Sequence, residues 1–79
     1  MTKIEKLLNK FIENPESLSY LQIRKLLKRF GFVQTKTRGS HKKFRHQELE
    51  HILSIPVHNN DCKKLYKTKI SIIIKTNFL

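Results

Sequence analysis

The chain has 79 residues, with 17 Lys and Arg against 6 Asp and Glu, a net charge of +11. A chain this short buries only about 60% of its unfolded surface, which excludes a second independent core. The charge favours a polyanionic partner such as nucleic acid, ahead of an acidic substrate or an anionic membrane surface. No continuous apolar run reaches the about 18 residues of a membrane span, and no secretory signal is legible, so the expected location is the cytoplasm, with no membrane partner. One cysteine, Cys62, offers no internal disulfide, and two prolines with two glycines are too few for a fibrous or disordered chain.

At the start of the chain, Ile4, Leu7, Leu8, Phe11 and Ile12 recur at the spacing of one helical face and predict an amphipathic helix. Thr2 with Glu5 three residues on reads as its capping box, and Asn14-Pro15 ends it. Ser19 with Gln22 is a second capping box, flanked by Leu18 and Ile23 at the positions of a hydrophobic staple. The second helix therefore begins near Tyr20, buries Ile23, Leu26, Leu27 and Phe30, and stops at Gly31, which suits the left-handed residue beyond a helix end.

From Phe32 the period falls to two. Phe32–Arg38 and His41–His46 are separated by Gly39-Ser40 and read as a tight hairpin. That register sets Arg38 opposite His41, Lys36 opposite Lys43 and Gln34 opposite Arg45, all on one face. Val33, Thr35, Thr37, Lys42, Phe44 and His46 take the other face, the natural one to pack on helices. Phe32 alone falls on the wrong side, and a bulge or one-residue slip would exchange the faces.

Residues 47–50 read as the next turn. A third strand follows, with Leu53, Ile55 and Val57 alternating against Ile52, Ser54, Pro56 and His58. Pro56 cannot donate to a ladder and belongs at an edge or at the strand's end. After residues 59–61, Leu65, Tyr66, Ile70, Ile73 and Ile74 fit a third helix capped by Asn60 or Asp61. The isoleucine run 72–74 would also suit a buried strand, but the stretch Lys63–Lys69 favours helix. The expected order is ααβββα, an α/β domain of the α+β kind spanning residues 1–79.

The basic charge is spread evenly along the chain, so only folding can concentrate it. The hairpin register does so, placing Lys36, Arg38, Lys43 and Arg45 around His41 as a patch able to hold a phosphodiester. A solvated surface is the plain reading of any single Lys, but not of this cluster. Among polyanions RNA needs least machinery to cut. A base takes the 2′-OH proton, the oxygen attacks the adjacent phosphorus, an acid protonates the leaving 5′-oxygen, and cations hold the charge on the phosphoryl oxygens. His41 is the candidate acid/base group. His58 is either a second proton-transfer or phosphate-contacting group or an ordinary polar strand end.

A metal site drawn from His41, His46, His51, His58 and Cys62 is disfavoured. Alternation separates His41 from His46, there is no Cys-x-x-Cys pair, and the net charge opposes a cation. No metal or other cofactor is called for. Ser40 reads as a turn residue, since no nucleophile-elbow motif surrounds it.

Phe30-Gly31-Phe32, Gly39-Ser40-His41-Lys42-Lys43-Phe44 and Ile55-Pro56-Val57-His58, in this order and spacing, resemble the HicA toxin family of toxin–antitoxin modules. The similarity covers about residues 18 to 79. It implies a double-stranded-RNA-binding-domain-like fold, a three-stranded antiparallel sheet with helices on one side, and mRNA interferase activity. By the same resemblance the catalytic histidine is His41, supported by the turn Gly39-Ser40. The implied partner is a HicB antitoxin that covers the site and, through the complex, represses the operon. Residues 1–14, with the first helix, stand as an N-terminal extension relative to the shortest members. Gln47-Glu48-Leu49-Glu50 replaces a glycine-containing turn often seen there. Two other readings compete with the enzyme: a non-catalytic RNA-binding module that recognises A-form geometry, and a repressor subunit inert on RNA when free.

Overall fold

The computed structural model describes residues 2–35 and 39–79. Its elements are α1 (Lys3–Glu13), a single 3-10 turn (Pro15–Ser17), α2 (Tyr20–Arg29), β1 (Val33–Gln34), β2 (His41–Arg45), β3 (Leu53–Pro56) and α3 (Lys64–Phe78). The order is ααβββα and the class α+β, as the sequence predicts. The strands form one antiparallel sheet in the order β1-β2-β3. Among the described residues, no helix is long and apolar enough to cross a membrane.

The helix ends follow their local chemistry. Thr2 caps α1, its hydroxyl accepting the Glu5 N–H at 3.2 Å. Both halves of the Ser19/Gln22 box are present at α2, with the staple pair Leu18 and Ile23 buried beneath it. Beyond the C-cap Phe30, Gly31 has φ +95°, its N–H reaches the Lys28 carbonyl, and the Phe32 N–H reaches the Leu27 carbonyl at 3.0 Å. This is a Schellman motif, whose outermost residue commonly turns an apolar side chain back onto the helix. Phe32 does so and is 3% exposed.

That inward Phe32 sets the parity of β1 and corrects the predicted register by one residue. Val33 pairs with Arg45 and Gln34 with Phe44. Gln34 therefore leaves the cationic face, where the sequence had put it opposite Arg45, and Val33 turns outward, 59% exposed, instead of packing on the helices. The Thr35 N–H continues the ladder to the Lys43 carbonyl at 2.9 Å. Lys36, Thr37 and Arg38, which the predicted register places on the two faces, lie outside the described residues.

Phe11, Leu18, Ile23, Leu26 and Leu27 from the helical half meet Phe44 and Ile55 from the sheet and Ile70 and Ile74 from α3, all nearly inaccessible. Burying each such side chain contributes about 1.5–3 kcal/mol against the entropy of ordering the chain. The buried stripe of α3 runs through Lys67, Ile70, Ser71 and Ile74. Leu65, predicted for that stripe, is 72% exposed. Nor does Asn60 or Asp61 cap this helix: the N-cap is Lys63, without a side-chain bond.

Candidate functional site

The outward face of the sheet is built on β2. Its burial alternates, with His41, Lys43 and Arg45 exposed and Phe44 anchored in the core. Alternation thus sends the imidazole, the ammonium and the guanidinium to one side. Across the strands the same face carries Pro56 opposite His41, Ser54 opposite Lys43 and Val33 opposite Arg45. Among the described residues no carboxylate pairs with Lys43 or Arg45, so both remain available to an anionic ligand. Lys42 pairs with Ile55 and points to the other, half-buried side.

The turn before β2 places His41. Gly39 sits at φ +63°, and the Ser40 carbonyl accepts the Val57 N–H at 2.7 Å, so the register of β2 with β3 continues past His41. His58 is next but one after Pro56, exposed, and held in a two-residue turn. Its N–H donates to the Asp61 carbonyl at 2.9 Å and its carbonyl accepts the Asp61 N–H at 3.0 Å. Asn59 and Asn60 take positive φ, 53° and 63°, as a type I′ turn requires and as asparagine tolerates.

Asp61 holds this turn in place and is the residue whose role the sequence did not reveal. Its Oδ1 accepts the Tyr20 N–H at 3.0 Å and the Cys62 N–H at 2.9 Å, and the Lys67 ammonium lies 3.1 Å away. One carboxylate thereby joins the start of α2, the turn carrying His58, and α3. Partial burial pushes the Asp61 pKa upward, but the Cys62 N–H, the Lys67 ammonium and the Tyr20 N–H together outweigh it and hold the group below its usual value. The only sequence signal was an Asp in a turn with a Lys six residues on.

Cys62, beside it, is 9% exposed, and burial pushes its thiol pKa up despite the counteracting Lys67 charge. That is the environment of an inert thiol. His46 is equally structural. Its Nε2 donates to the Phe30 carbonyl at 2.8 Å while Nδ1 accepts the Glu48 N–H at 3.0 Å, which fixes the orientation of the ring. The ring also packs on Phe32 and Phe78, with centroids 4.9 and 4.6 Å away. Among the described residues, no group of three or more His, Cys, Asp or Glu could hold a metal ion.

Among the described residues, the geometry is that of a small basic α+β protein presenting one histidine and two cations on an exposed sheet face. A family model for the HicA toxin of bacterial toxin–antitoxin systems matches residues 22–75, a stretch that runs from α2 into α3 and contains all three strands. The chain therefore belongs to the HicA toxin family, and is the toxin component of a toxin–antitoxin pair. No curated protein and no solved structure matches it.

Proposed function

We propose that this toxin is a metal-independent endoribonuclease acting on mRNA in the cytoplasm, with His41 as its acid/base group. The observation that carries the reading is the exposed His41 on the same strand face as Lys43 and Arg45. An imidazole there reaches a phosphodiester held by the two cations. His41 takes the proton of the 2′-OH, the 2′-oxygen attacks phosphorus, and the 5′-oxygen leaves with a proton, giving a 2′,3′-cyclic phosphate and a 5′-OH. Lys43 and Arg45 bind the substrate phosphates and offset the charge on the phosphoryl oxygens. His58, held by the Asp61 turn beyond Pro56, is the candidate for the second proton transfer or a further phosphate contact. Gly39-Ser40 support His41 through the backbone. Lys36 and Arg38 stay in the proposal as RNA contacts on the strength of their charge and their position in the sequence shortly before Gly39.

The neutralising partner in this reading is a HicB-like antitoxin that lays a carboxylate on the cationic face and excludes RNA by occupying it. The test incubates purified protein with an end-labelled transcript in EDTA and maps the products. Cyclic phosphate termini with activity undiminished by chelation are expected. Termini bearing 3′-OH, or activity lost with the chelator, would refute the mechanism, and intact RNA would leave a binding module.

A further inference from the structure

We infer that the cleft at the Arg45 end of the β2 face is a slot for one unpaired nucleobase of RNA, flanking the bond that His41 cuts. The inference rests on the endoribonuclease reading and adds a preference for single-stranded substrate to it. The cleft has a volume of about 860 Å³ and lies between β1, the end of β2 and the turn before β3. Its walls include Val33, Arg45, Gln47, Glu50, His51 and Ile52.

Three features select a base over a phosphate. Val33 and Ile52 are large aliphatic side chains left 59% and 53% exposed, and both line the same cleft as Arg45. A nucleobase has two apolar faces, which suit aliphatic walls and a guanidinium plane. The cleft also holds Glu50, whose carboxylate repels a phosphate but accepts from a base amino group, with Gln47 and His51 as further edge partners. Third, the cleft is continuous with the proposed catalytic face through Arg45. Arg45 lies four positions along β2 from His41, about 13 Å at the usual rise per strand residue. A strand of RNA laid along Lys43 would set its scissile bond at His41 and drop a neighbouring base into the cleft. In an A-form duplex the base is stacked and paired, so only a single strand can supply it.

The test uses the full chain carrying V33S and I52S, which removes the aliphatic walls without altering charge. Both side chains are exposed, and a thermal melt matching the parent verifies the fold. Should the β1 change lower the melt, I52S alone, outside the strands, serves in its place. Binding is followed by fluorescence anisotropy with labelled oligouridine, alone and annealed to oligoadenosine. We expect single-strand affinity to fall about tenfold, the low end for losing one stacked base, with duplex affinity and the salt slope unchanged. Equal loss on both RNAs, or no loss on the single strand, overturns the slot. The second of these would leave the cleft to a protein side chain. The two readings separate cleanly. A parent that binds single strands through Val33 and Ile52 yet never cuts them refutes the nuclease and keeps the slot. Cutting that depends on His41 but is indifferent to both serines refutes the slot and keeps the nuclease.

Discussion

The Lys67 ammonium lies 3.1 Å from the Asp61 carboxylate, with the lysine side chain 7% exposed and the aspartate side chain 50% exposed. The two residues are unequal partners. Removing Asp61 strands a buried charge and frees the Tyr20 and Cys62 N–H groups, whereas removing Lys67 leaves a carboxylate that water already reaches. D61A is therefore expected to cost about 2–3 kcal/mol, below the 3–5 of a fully buried pair. K67M should cost less than D61A in the same urea titration. Equal losses would contradict the unequal roles assigned to the two partners.

The same carboxylate predicts an acid limit. Its folded pKa lies below the unfolded value of about 3.9, so its contribution is complete above roughly pH 4–5 and is lost as pH falls through the lowered folded value. Stability measured between pH 5 and pH 2 should fall less steeply in D61N than in the parent, because the amide has no proton to take up. An identical slope in both proteins would contradict the assignment.

Gly31 stands at φ +95°, and a Cβ there would lie 3.3 Å from Nε2 of His46. G31A is expected to lose about 1–2 kcal/mol from the left-handed backbone alone, and more from pressing on the His46–Phe30 bond. G39A has only the first cost, since nothing among the described residues lies within 4 Å of its Cβ position. Thermal melts should rank the parent above G39A and G39A above G31A. The reverse ranking of the two variants would mean that the His46 contact does not constrain the helix end.

Lys43 and Arg45 are expected to act on RNA through charge. Changing either to Ala should weaken binding and reduce the slope of log affinity against log salt by about one counterion. Because both are exposed, melting temperatures should hold. A slope unmoved by both changes would place the RNA elsewhere on the molecule.

Most of the framework was legible because it is local. The Ser19/Gln22 box, the Leu18–Ile23 staple and the Gly31 stop each specify themselves within a few residues, and the structure contains all three. The register of β1 was not, because it depends on which way Phe32 turns. The Schellman geometry at Gly31 decides that question, and with Phe32 inward Val33 must point outward. His41, Lys43 and Arg45 were insensitive to the error, since alternation along β2 alone puts them on one face. Asp61 was misread as a cap for α3 because its partners, Tyr20 and Lys67, lie on two other elements. No local spacing records the meeting with Tyr20, which lies 41 residues away.

The most direct measurement compares the parent with H41A on an end-labelled transcript, with RNA affinity followed in parallel. H41A should melt like the parent, bind RNA within a few-fold of it, and leave the transcript intact. Cleavage by H41A at the parent's rate would contradict the central claim that this exposed imidazole moves the proton.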